Sequence, residues 1–270
     1  MPVDRSGDRG ENMIHRIKYY MTSVLTLLRQ VENWYMLPLL VVRKRPMIIN
    51  LRTGYKFKVR SLMDAWIIKE TCLDRDYESN SVLIEDGWVV VDIGAGIGEF
   101  AILVGKEHPS CQVYAFEPFP ESFDLLQENL RLNMVDNIVA FQLAVGSKSG
   151  KMLLATTGEA VQHTTTRCVT LGGTTVIEVQ GLSLDELFQS NGIERCDFLK
   201  MDCEGCEFEV LLNSSPMALE RINHICLEYH DGFTEFSHVD LVNHLQRHGF
   251  RVKIMANPVH NYLGFLYACR

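Results

Sequence analysis

Apolar residues recur at alternating steps of three and four from Ile14 through Ile17, Met21, Val24, Leu28 and Val31 to Tyr35, the spacing of one stripe along a helix. Such a stripe has to be covered, either by the rest of its own chain or by a second copy in a homodimer. Residues 1–12 before it are polar and are expected to be disordered. Residues 34–42 form another apolar run, but Pro38 breaks it and it falls far short of the ~20 residues of a bilayer span, so no transmembrane segment is expected. Backed by Arg43-Lys44-Arg45, the run also fits an interfacial helix.

The period then changes. Residues 46–60 alternate apolar and polar positions around Thr53-Gly54, which predicts a hairpin, and a short helix follows over 63–73. From Trp88 onward, strands are predicted near 89–93, 112–117, 138–145, 197–202 and 224–230, with helices between them, which implies a parallel sheet with right-handed crossovers. Two final strands, near 249–255 and 261–268, have no helical pattern between them and pair as an antiparallel hairpin. The fold class is therefore α/β: a doubly wound, mostly parallel seven-stranded sheet with a C-terminal hairpin, plus an N-terminal helix and small hairpin. We divide the chain into an N-terminal extension, 1–80, and a main α/β domain, 81–270. The Thr- and Gly-rich stretch 156–175 interrupts the alternation and reads as a substrate-facing loop or a solvent loop, with an extra strand after it at 175–179.

The first strand of the alternation carries the strongest chemical signal. In Trp88-Val-Val-Val-Asp-Ile-Gly-Ala-Gly-Ile-Gly-Glu-Phe100, β-branched residues suited to a doubly buried strand run into three glycines at alternate positions. Gly94, Gly96 and Gly98 let the backbone turn tightly and leave no Cβ between chain and ligand, ahead of a helix. A dinucleotide fingerprint needs glycine where Glu99 stands, and no Lys-Ser or Lys-Thr pair follows as a P-loop requires. The second strand ends at Glu117, where a carboxylate can accept both hydroxyls of a ribose.

Charge and cysteine usage narrow the partners. With 26 basic and 34 acidic residues the net charge is -8, which argues against nucleic acid as substrate. The eight cysteines follow no disulfide framework and no secretory signal precedes them, so a cytoplasmic protein is expected, with Cys203 and Cys206 read as ordinary free thiols.

Further carboxylates gather at later strand ends. Asp202 closes the fourth strand of the alternation with Glu204 two residues on, and Glu228 and His230 share a face of the fifth. These four are the catalytic candidates; Asp202, Glu228 and His230 could alternatively hold one divalent cation. His230 is favoured as base because the ordinary imidazole pKa lies nearest neutrality.

The Gly-x-Gly-x-Gly turn resembles motif I of S-adenosylmethionine-dependent methyltransferases. Together, Asp92-Ile-Gly-Ala-Gly-Ile-Gly98, Phe116-Glu-Pro118, Glu128-Asn129, Leu184-Asp185, Lys200-Met-Asp-Cys-Glu-Gly205 and Leu227-Glu-Tyr-His230 resemble the FkbM family, over roughly 46–255. The resemblance implies the class I, Rossmann-like methyltransferase fold, with S-adenosylmethionine as cofactor. It also implies methyl transfer to oxygen in a small molecule, sugar or lipid-linked glycan. By the same resemblance Gly94, Gly96 and Gly98 face the methionine end of the cofactor and Glu117 its ribose. Asp92 would brace the loop or the cofactor's amino group, the adenine would rest in an apolar slot around Leu143-Ala144-Val145, and 81–270 would be the catalytic domain. In this fold a carboxylate at the position of Asp202 can hold the cofactor's amino group, bind a metal or deprotonate the acceptor. Gly96 stands where the family commonly has Asn. The alternatives are N-methylation of protein or RNA, against which the missing Pro-Pro turn after Asp202 counts, and a non-catalytic cofactor-binding assembly module.

Overall fold

The computed structural model describes residues 6–43, 45–156, 163–164, 175–257, 259–260 and 262–270. The chain begins with α1 (Ser6–Gln30), a 3-10 turn and α2 (Leu37–Arg43), then β1 (Met47–Asn50), β2 (Lys56–Val59), α3 (Leu62–Ile68), a π-turn and α4 (Asp76–Ser79). Helix is thus present from Ser6 onward, where the polar composition predicted disorder up to residue 12; residues 1–5 lie outside the described residues.

The chain continues with β3 (Val89–Ile93), α5 (Glu99–Glu107), β4 (Gln112–Phe116), α6 (Pro120–Asn133), β5 (Ile138–Phe141), β6 (Ala144–Gly146), β7 (Gly150–Thr156), β8 (His163–Thr164) and β9 (Thr175–Ser183). It ends with α7 (Leu184–Ser190), β10 (Cys196–Met201), α8 (Cys206–Asn213), α9 (Pro216–Glu220), β11 (Ile222–His230), α10 (His238–Arg247), β12 (Arg251–Ala256) and β13 (Leu263–Cys269).

Seven strands form the central sheet in the order β12-β13-β11-β10-β3-β4-β5. The five from β11 to β5 run parallel, while β13 pairs antiparallel with both β11 and β12. The order reverses between β3 and β10, which opens a crevice at their carboxyl ends. All six residues of β10 are buried, as expected for a strand covered on both faces.

The expected single strand over 138–145 is divided. β5 stays in the central sheet, whereas β6 joins a second sheet of order β6-β9-β7-β8. The extra strand expected at 175–179 extends to Ser183 and pairs with the whole of β7. Most of 156–175, read as a loop, lies outside the described residues.

The small hairpin is fastened to α6 through its backbone. Lys58 and Lys56 donate their N–H groups to the side-chain oxygens of Asn129 and Asn133 on α6, at 2.6 and 3.0 Å. Asn129 in turn donates to the carbonyl of Ile97 at 2.9 Å, so one buried amide ties β2 to the glycine turn.

The predicted stripe of α1 does not pack inward. Ser23, Leu27 and Val31 face the core, while Ile17, Met21, Val24 and Leu28 remain exposed. Periodicity identified the helix but not its buried face: only Val31 of the stripe's described side chains is buried, so the chain's own domain does not cover it. The predicted helix 63–73 is α3 followed by a π-turn over Lys69–Asp74.

Candidate active site

Gly94 follows β3 at φ +74°, and a Cβ placed there would stand 1.8 Å from the carbonyl oxygen of Asp202. Glycine is required because the loop after β3 passes directly against the loop after β10. The amide of Asp202 donates to the carbonyl of Ile93 at 3.0 Å, completing that contact. Gly98, at φ +89°, serves as the N-cap of α5 against Leu126 and Ile102.

Below the turn lies a buried ion pair. Lys200 Nζ is 3.0 Å from Asp92 Oδ1 and donates to the carbonyl of Gly94 at 2.8 Å. Burial works against the ammonium, but Asp92, Asp202 and Glu99 outweigh it and hold Lys200 charged. Asp92 is pushed up by burial and drawn back by Lys200. Asp92 therefore braces the loop from beneath. Lys200, inside an apolar strand, went unassigned in the sequence reading, although a lysine flanked by Leu199 and Met201 signals a buried partner.

Glu117 is buried and fixed by two backbone donors, Gly96 N–H at 2.9 Å and Phe119 N–H at 2.8 Å. Burial raises its pKa to about 7 against the pull of those donors. The carboxylate borders a cavity of 680 Å³ that also touches Gly94, Gly96 and Ala144. These residues fit the cofactor implied by the sequence: a glycine turn without Cβ atoms, an immobilised acid for ribose hydroxyls, and an apolar wall of Leu143, Ala144 and Val145. Glu99, the residue that departs from a dinucleotide fingerprint, also lines this cavity, and burial raises its pKa to about 8.

All four catalytic candidates line the same cavity. His230 Nδ1 lies 3.2 Å from Glu207, and its Nε2 lies 3.5 Å from Glu204. Burial alone would push the imidazole down, but Glu207, with help from Asp202 and Glu204, carries its pKa up to about 10. Glu204 is raised to about 7, chiefly by burial. Burial and the neighbouring Asp202 raise Glu228 well above the ordinary carboxylate range. Glu204 is also held at φ +54°, a left-handed conformation that is costly for a residue with a Cβ.

Tyr77 of α4 joins this group. It is buried, and its hydroxyl donates to Asp202 Oδ2 at 2.8 Å. No local pattern marks Tyr77 or Glu207, because the contacts that make them relevant arise only on folding.

Cys203 and Cys206 are joined by a disulfide with Cα atoms 5.4 Å apart, in place of the expected free thiols. The loop between β10 and α8 brings the pair together, a juxtaposition that spacing alone did not establish. Asp202, Glu228 and His230 each offer a ligand atom within 4.8 Å of the others, so the donor set fits one divalent cation.

The strand order with its terminal antiparallel hairpin, the glycine turn and the acid after β4 define a class I methyltransferase. The family model described as "Methyltransferase FkbM domain" matches residues 92–252, more than half of the chain. The chain belongs to the FkbM methyltransferase family, whose members depend on S-adenosylmethionine.

It is 28% identical over 215 residues to the hexuronic acid methyltransferase AglP of Haloferax volcanii, covering 78% of this chain and 84% of that protein. It is 29% identical over 224 residues to the 31-O-demethyl-FK506 methyltransferase FkbM of Streptomyces tacrolimicus, covering 72% and 84%. With the methyltransferase sdnD of Sordaria araneosa it shares 24% identity over 218 residues, covering 70% and 83%. No described helix is long and apolar enough to cross a membrane.

Proposed function

We propose that this methyltransferase acts on a hydroxyl oxygen of a small molecule, sugar or lipid-linked glycan. The observation that carries this reading is the convergence of Asp202, Glu204, Glu228 and His230 on one wall of the cofactor cavity. A hydroxyl must lose its proton as it is methylated, and such a wall can accept one. The two named relatives that act on a hexuronic acid and on 31-O-demethyl-FK506 support a small-molecule or sugar acceptor.

In this reading Glu117 holds the ribose, Gly94 and Gly96 admit the methionine end, Gly98 shapes the turn, and Ala144 contacts the adenine. S-adenosylmethionine supplies an activated methyl group. Asp202 orients the reacting groups while anchored by Tyr77, and His230 takes the acceptor proton once its own has left. Residues 1–80 act as an extension that contributes Tyr77 to a catalytic domain spanning 81–270.

Replacing Glu117 with Ala is expected to weaken S-adenosylmethionine binding by about a hundredfold, because buried hydroxyl–carboxylate bonds of ~1.5–3 kcal/mol are lost. Calorimetric titration of the folded variant beside His230→Gln, which retains binding, measures this. Equal affinities for wild type and Glu117→Ala would remove the ribose assignment. Incubation with radiolabelled cofactor and an extract of the source cells then tests the acceptor. Label confined to protein or RNA would overturn O-methylation of a small molecule or glycan.

The carboxylate–imidazole cluster is read as a proton-handling group. Exhaustive chelation is therefore expected to leave turnover unchanged, and a loss restored by Mg²⁺ or Mn²⁺ would instead assign Asp202, Glu228 and His230 to a metal.

A further inference from the structure

One face of α1 is apolar and uncovered. Ile17, Tyr20, Met21, Val24, Leu25 and Leu28 are all exposed there, at positions three and four apart that bring them onto a common side. Trp34 and Tyr35, in edge-to-face contact at 6.5 Å, follow directly and are exposed as well. A continuous surface of this kind on a helix marks an interaction site.

Charge identifies the occupant. Residues 13–52 hold seven Lys or Arg and a single acid, Glu32, within a chain whose net charge is -8. Lys18, Arg29, Arg45 and Arg52 are exposed. A second copy paired through the same segment would bring two net-basic surfaces together, an electrostatically unfavourable pairing. An anionic lipid surface offers the opposite sign, accepts apolar side chains a few ångströms deep, and favours Trp and Tyr at its boundary. The acidic remainder of the chain favours an orientation with the extension toward the lipid.

The patch also meets the cavity. Tyr20, Leu62 and Met63 are exposed and line the 680 Å³ cavity, and the Tyr20 ring lies 5.7 Å from that of Trp66 on the same wall. We propose that the exposed face of α1 docks on an anionic bilayer surface and so presents the mouth of the acceptor cavity to membrane-borne substrate. The docking stands on the surface alone; the substrate consequence rests on the methyltransferase reading and selects the lipid-linked acceptors within it.

The test is flotation of the full-length protein with phosphatidylcholine vesicles, with and without phosphatidylserine. Co-flotation is expected with the anionic vesicles, weakened about tenfold on moving from low to high salt. The double substitution Val24→Glu with Leu28→Glu, at two exposed positions, is expected to reduce it by at least about tenfold, and Lys18→Glu with Arg29→Glu to do so at low salt. Both variants should bind S-adenosylmethionine like wild type, which separates failure of docking from failure of the methyltransferase reading. Absence of co-flotation at low salt would overturn the proposal, as would flotation indifferent to both variants. A concentration-dependent dimer in solution, abolished by Val24→Glu with Leu28→Glu, would overturn it in favour of a second copy.

Discussion

Lys200→Met is expected to destabilise the protein by about 3–5 kcal/mol, the usual cost of leaving one partner of a buried ion pair uncompensated. The ammonium stands between the carboxylate of Asp92 and the carbonyl of Gly94, with the Tyr77 ring 5.2 Å away. Methionine fills similar volume but offers neither charge nor donor. Asp92 is then left buried without its cation, and the turn that approaches Asp202 loses its tether. Urea unfolding measures the loss. Because Asp92 and Lys200 act as a pair, Asp92→Leu combined with Lys200→Met should recover much of the stability without recovering cofactor affinity. A single-mutant loss below about 1 kcal/mol would show that the pair contributes little.

This pair also marks the boundary of what the sequence made legible. The strand alternation, terminal hairpin and glycine turn all have local signatures: β-branched runs, turn residues and the absence of a long helical pattern between the last two strands. They predicted the sheet and the cofactor side of its crevice. Glu117 could be placed beside the glycine turn, where it accepts from Gly96 N–H, because it follows the neighbouring strand of a doubly wound sheet. By contrast, Tyr77 reaches Asp202 across 125 positions of sequence, and Glu207 meets His230 across two different elements. Such contacts leave no periodic trace.

Helix α1 shows a different limit. Its three-four stripe is real, yet a hydrophobic period reports only which side avoids water, and the chain's own core is one of several ways to do that. Ser23 and Leu27 face inward because Val31 pairs with Leu51 beside the hairpin, which fixes the rotation of the helix independently of the stripe. The second sheet was missed for a related reason. β6 has three residues and follows β5 after a two-residue break, so the apolar run looked continuous although the strands belong to different sheets.

His230→Gln is expected to lower turnover by about 10²–10⁴-fold, the range for loss of a positioned general base. The pH dependence identifies its role. In the cofactor-free protein the imidazole pKa is carried up to about 10, so His230 is protonated at neutral pH and cannot yet accept a proton. Positive charge brought into the same cavity disfavours the imidazolium, by on the order of 2 kcal/mol in a partly buried site. His230 should therefore lose its proton far more readily with S-adenosylmethionine bound than with its uncharged demethylated product. NMR titration of the His230 ring in both complexes reads that difference without any acceptor, and identical titration would remove the proposed switch. A histidine with a raised folded-state pKa stabilises the protein fully below its ordinary pKa of 6.5, and that contribution disappears as pH rises toward about 10. His230→Gln should flatten this part of the thermal-stability profile of the cofactor-free protein. In turnover, the basic-side increase in kcat/KM should vanish with His230→Gln and persist with Glu204→Gln. The reverse pattern, with the rate controlled near pH 7, would transfer the base role to Glu204, whose pKa burial raises to about 7.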